Sequence, residues 1–109
     1  MLVRLYSGSD GQSHFEELDA DKDAKIFAES QKTTEIEFRS SQPGYLTEWH
    51  NAPRRQYIIT LSGSAEIVIG DGTVKVLGPG DVLLADDLTG QGHITRPSDD
   101  WTRAMIPIE

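Results

Sequence analysis

The stretch Gly44-Tyr45-Leu46-Thr47-Glu48-Trp49-His50-Asn51-Ala52-Pro53-Arg54-Arg55-Gln56, which runs on to Gly63, decides how this chain is read. A second stretch complements it: Gly80-Asp81-Val82-Leu83-Leu84-Ala85-Asp86, continuing through Gly90 to His93. Residues two apart on a strand share a face. A strand over Tyr45–Asn51 therefore aims Glu48, His50 and the following Ala52 the same way. On the next strand Gln56, Ile58 and Thr60 share a face, and His93 with Thr95 can meet them from a later one. Two histidines and a carboxylate form a ligand set suited to iron, manganese, nickel or zinc, with positions left for a substrate. Such a centre can polarise a substrate oxygen or activate water or dioxygen. The same residues also admit a plainer reading, in which each histidine is simply hydrogen-bonded and Gln56 is a satisfied buried polar group.

Outward from these stretches the pattern is that of short strands. Thr34–Arg39 alternates Ile36 and Phe38 with Glu35, Glu37 and Arg39, which predicts a half-buried strand with the apolar pair inward. Ser41-Gln42-Pro43-Gly44 is turn chemistry. Further strands are predicted over Tyr57–Ser62, Ala65–Ile69, Thr73–Leu77, Asp81–Ala85, Gly92–Arg96 and Trp101–Ile108. Asp71-Gly72 between two of them predicts a hairpin with a type I′ turn, and Gly78-Pro79-Gly80 forces another turn. Pro107 belongs on an edge or near a strand end. Many short strands at regular spacing predict an all-β sandwich or barrel. Between residues 7 and 33, His14–Glu29 reads as a short helix or an irregular arm, with Asp19–Asp23 a solvated loop.

The chain has 109 residues, enough for one domain with a modest core. Ten basic and eighteen acidic residues leave a net charge of -8. That disfavours binding to nucleic acid and to anionic membrane surfaces. Without cysteine, disulfides and thiolate metal sites are excluded. Apolar runs are too short to span a bilayer, and the first residues lack the apolar stretch of a secretory signal. A cytoplasmic protein is expected.

The two opening stretches resemble the paired motifs of the small single-domain cupins of the RmlC-like jelly-roll superfamily. The first motif there runs Gly, five residues, His, one, His, three or four, Glu, six, Gly. Here the matching positions are Gly44, His50, Ala52, Gln56 and Gly63. Ala52 stands where a second histidine belongs, and Gln56 replaces the glutamate. The second motif is matched by Gly80, with Asp86 in place of proline, and by Gly90 and His93 once two residues are inserted. The resemblance covers about half the chain. It implies an all-β jelly roll, barrel or sandwich of two antiparallel sheets, with a short N-terminal arm, as one domain over residues 1–109.

The resemblance also implies a pocket that binds a divalent metal (iron, manganese, nickel or zinc) and a small molecule. His50 and His93 would be the core ligands and catalytic residues, supported by Gln56 or Glu48. Oxygenase, isomerase or lyase chemistry would follow. Two alternatives share the same residues: a metal-free module for binding or sensing a small molecule, and a metal-independent isomerase or epimerase using His50 or His93 as general base. Thr60, Thr95, Arg54 and Arg103 are the expected pocket residues. Arg103 shares a face with Trp101 and Met105. Inside, it would be a buried cation needing a partner, such as a substrate anion; outside, it would pair with a surface acid. Asp86-Asp87 is expected as an exposed acidic rim, His14 as a surface residue, and Trp49 and Tyr57 as facing away from the interior. A homodimer is the expected assembly.

Overall fold

Alternating strands separated by glycine turns fold into two sheets in a computed structural model that describes residues 1–45 and 47–108. The strands are β1 (Leu2–Ser7), β2 (Ser13–Glu17), β3 (Glu37–Ser41), β4 (Gln56–Ser62), β5 (Ala65–Val68), β6 (Val74–Leu77), β7 (Val82–Asp86), β8 (Ile94–Pro97) and β9 (Trp101–Pro107). One helix, α1 (Ala24–Ala28), follows β2. The larger sheet runs β2-β1-β7-β4-β9-β3 and the smaller β6-β5-β8. Every pairing is antiparallel except β1 with β7, which is parallel. This is the expected two-sheet jelly-roll sandwich, with no closed barrel among the described residues.

The register explains where the core ends and the pocket begins. Val3 lies beside Leu83 and Leu5 beside Ala85. Leu83 in turn faces Ile58, and Ala85 faces Gln56. Ile58 pairs with Met105 and Thr60 with Arg103, and Arg103 pairs with Arg39. The inner face of the large sheet is thus apolar along β1 and β7 and turns polar along β4, β9 and β3. The apolar half packs with Ala65, Ile67, Ile69 and Leu77 of the small sheet and its turn in one core. Burying each such leucine or isoleucine contributes about 1.5–3 kcal/mol relative to exposure. The polar half cannot be sealed in that way, and a cavity remains over it.

Several expectations are corrected. The strand expected over Tyr45–Asn51 does not form among the described residues, and Leu46 lies outside them; only an isolated bridge joins His50 to His93. The strand expected over Thr34–Arg39 is shifted to Glu37–Ser41, and its faces are reversed. Phe38 is 64% exposed and Ile36 56% exposed, while Arg39 lines the cavity. β3 is an edge strand beside a polar cavity, so the inward face is the polar one. His14–Glu29 is neither one helix nor an irregular arm: Ser13–Glu17 pairs with β1, and only Ala24–Ala28 is helical. The Asp71-Gly72 turn is not type I′, because among the described residues none but glycine, and so not Asp71, has positive φ. Gly72 donates to Ile69 O at 3.0 Å and alone takes the left-handed conformation, with φ 88°. That fits a type I turn closed by a glycine. No helix among the described residues is long and apolar enough to cross a membrane.

Candidate functional site

The cavity holds about 290 Å³ and lies between the polar half of the large sheet and the segment that precedes β4. Two groups of side chains occupy its wall.

The first group gathers around the histidine bridge. His50 N donates to His93 O at 3.0 Å and His93 N to His50 O at 2.8 Å. The two rings lie 4.4 Å apart between centroids. Gly92 makes this approach possible. Its φ is 80°, and a Cβ there would come within 2.0 Å of the His50 carbonyl oxygen. Each imidazole is oriented through Nδ1. His50 Nδ1 lies 2.9 Å from Glu48 O, and His93 Nδ1 lies 2.6 Å from Asp87 Oδ2. A carbonyl or carboxylate oxygen accepts, so each Nδ1 is the donor of its ring, and in the neutral imidazole that leaves Nε2 as the acceptor.

Asp87 is fully buried. It accepts from Ser13 Oγ at 2.7 Å, from His93 Nδ1 and from Ala52 N at 3.3 Å. The expected exposed acidic rim is therefore corrected at both residues. Asp86 is tied to Arg4 at 2.9 Å, and Asp87 is an interior carboxylate. A signal was available: along β7, Leu83 and Ala85 point inward, and Asp87 is next in that period of two. Gln56 completes this end of the cavity. It is 3% exposed and sits beside Ala85.

The second group is built on β9 and β3. Trp101 is buried, and its Nε1 donates to Thr60 Oγ1 at 3.1 Å. The Arg103 guanidinium lies 4.1 Å over the Trp101 ring. Its Nη1 donates to Ser41 Oγ at 2.9 Å and to Trp101 O at 3.4 Å. Arg103 is 9% exposed. Burial, and secondarily the nearby Arg39, lower its pKa from the ordinary arginine value. The interior placement is thus the one adopted.

Of the expected site residues, His50, His93, Gln56, Thr95 and Arg103 line the cavity. Three do not. Thr60 is buried behind Trp101, as its hydrogen-bond acceptor. Arg54 is exposed and paired with Glu35. Glu48 is exposed; with no strand formed at this position, strict alternation fails, and only its backbone carbonyl meets His50. Arg39, Ser41 and Tyr45 line the cavity without having been singled out.

The donor set does not fit the metal that such a fold implies. Among the described residues, no three His, Cys, Asp or Glu side chains gather to hold an ion. Two imidazoles remain, with the neutral Gln56 amide as third neighbour. Ala52 offers no donor, and the Asp87 carboxylate is occupied behind His93.

No family model matches the sequence, and no curated protein does. Solved structures match in shape. A conserved Streptococcus pyogenes protein of unknown function superposes with a TM-score of 0.57 at 19% identity, over 73% of this chain and 68% of that one. A cupin-2 domain-containing protein from Shewanella frigidimarina gives 0.55 at 15% identity, over 84% and 94%. An RmlC-like cupin from Desulfovibrio desulfuricans gives 0.50 at 18% identity, over 96% and 79%. Two sheets in jelly-roll order, a cavity at the polar end of the larger one, and this shared shape make the chain a cupin-fold protein.

Proposed function

We propose that the protein binds a small molecule in this cavity, and that His50 and His93 exchange protons with it without a resident metal. The observation that supports this reading best is the buried hydrogen bond between Asp87 and His93. It orients the His93 ring through Nδ1 and leaves Nε2 without a partner among the described residues, on a side chain that lines the cavity. A carboxylate behind an imidazole also stabilises the cation formed when that imidazole accepts a proton. His50, with its ring centroid 4.4 Å away, is placed to donate or accept at a neighbouring atom.

A bound metal would need a third donor stronger than the Gln56 amide. Elemental analysis of the untagged protein tests this, before and after loading with iron, manganese, nickel and zinc. The proton-transfer reading expects well under one equivalent. Metal near one equivalent, lost in both His50→Ala and His93→Ala, would overturn it and restore a metalloenzyme.

The assembly we propose is a homodimer through β3. This strand has one open edge in the described sheet. Antiparallel pairing of two copies about Phe38 would set Glu37 of one copy opposite Arg39 of the other, twice. Opposite charges directly across two strands stabilise the pairing, as does the aromatic pair on the axis. Light scattering should give twice 12.1 kDa. Phe38→Lys should return the monomer, and a wild-type monomer at all concentrations would reject this assembly.

A further inference from the structure

Proton exchange at the histidines leaves Arg103 without a role. Its contacts are a hydroxyl, a carbonyl and an aromatic face, all neutral. No described carboxylate forms an ion pair with it. Of the neighbouring charges, Arg39 is held by Glu37 at 2.7 Å, so that pair is neutral and this end of the cavity keeps one net positive charge. Burying a cation without a counter-charge is costly. Among the described residues only Nη1 has hydrogen-bond partners, so Nε and Nη2 remain as a planar fork of donors.

We propose that Arg103 anchors the carboxylate of a small monocarboxylic acid, whose other polar end reaches Gln56 and the two histidines. A planar carboxylate matches the open edge of a guanidinium through two parallel bonds. One net positive charge suits one carboxylate better than a doubly charged phosphate. Ile58 and Met105 supply an apolar wall on the same sheet. A cavity of about 290 Å³ has room for roughly ten water-sized groups at ~30 Å³ each. The acid is therefore small. This assignment rests on the cavity being the binding site, as proposed above.

The test is a titration of the untagged protein with matched pairs: lactate and lactamide, hexanoate and hexanamide, benzoate and benzamide. Binding is read by calorimetry and by the NMR signals of the imidazoles. For at least one pair, the acid should bind at least ~10-fold tighter than its amide, as a charge-assisted fork requires. Arg103→Met should reduce that preference to within about twofold, and Arg103→Lys should fall between, because a point charge replaces the fork. If Arg103→Met fails to fold, Ser41→Ala serves instead; it frees the guanidinium from its hydroxyl and should weaken the preference severalfold. Equal binding of acid and amide, a preference that survives Arg103→Met, or no binding of any acid up to about 10 mM would overturn the assignment. The two readings fail separately. If acid and amide shift the imidazole signals alike, only the carboxylate anchor is lost. If the acid binds and the imidazoles do not respond, only the proton-transfer reading is lost.

Discussion

At the histidine end of the cavity, the charged and ring groups that orient the site meet partners within the protein. Asp87 is held by Ser13, Ala52 and His93, and His50 by the Glu48 carbonyl. At the arginine end, the cation rests on Trp101 and Ser41, and no described carboxylate forms an ion pair with it. The first arrangement serves positioning: Ser13, Asp87 and His93 are buried, and removing one of these side chains leaves another without its partner. The second suits the binding proposed above: an arriving anion would offset its electrostatic cost. Substitutions at the two ends should therefore change stability in opposite directions.

The sharpest break of that comparison is Asp87→Ala. It strands the Ser13 hydroxyl and the His93 Nδ1–H in the interior, while the Ala52 N–H keeps its 3.2 Å bond to the backbone carbonyl of residue 87. The loss should come to about 3–5 kcal/mol. Urea denaturation checks this. A loss below about 1 kcal/mol would mean that the histidine end is not a built network. Gly92→Ala should come next, at about 1–3 kcal/mol for the left-handed conformation alone. The added Cβ would also push against the His50 carbonyl. The cross-peaks between the two imidazoles in NMR should weaken even where the protein remains folded.

A control lies outside both ends. Asp81 caps the turn before β7. Its burial would raise the carboxyl pKa, but the Gly78 N–H and the Met1 ammonium, both at 2.9 Å, outweigh that and lower it. A depressed folded-state pKa stabilises above the unfolded value of 3.8 and is lost as pH falls through the lower folded value. Asp81→Asn should therefore cost about 1 kcal/mol at neutral pH. The gap between wild type and variant should close as pH falls below the ordinary carboxylate range. A gap independent of pH would show that the charge is not what the turn uses.

The smallest expected change in stability is at Arg103. Arg103→Met removes an unbalanced cation and keeps most of the packing on Trp101. Its melting temperature without ligand should equal or exceed that of wild type. A marked fall would show that the arginine is a structural element and would erase the contrast between the two ends.

The regular parts of the fold were legible because their signals are local. Alternation along Ala65–Ile69 and Tyr57–Ser62, and the turns at Gly72 and Gly78-Pro79-Gly80, are properties of a few adjacent residues. Where local pattern failed, a distant neighbour decided. Phe38 faces outward because β3 lies at the sheet edge beside the cavity. Glu48 does not join His50 because His50 meets His93 through an isolated bridge, and the described residues around it form no strand ladder. Ser13, in a region that reads from sequence as helix or arm, enters the site by bonding Asp87 across 74 residues.

The sequence by itself determined the strands from Gln56 onward, the places of the turns between them, the cupin resemblance and the loss of two ligands at Ala52 and Gln56. Those follow from residue types and spacing. Only the tertiary structure decided that Asp87 is buried behind His93, that Arg103 points inward, and that no described carboxylate pairs with it. Burial and charge balance are sums over residues far apart in the chain, and no local pattern carries them.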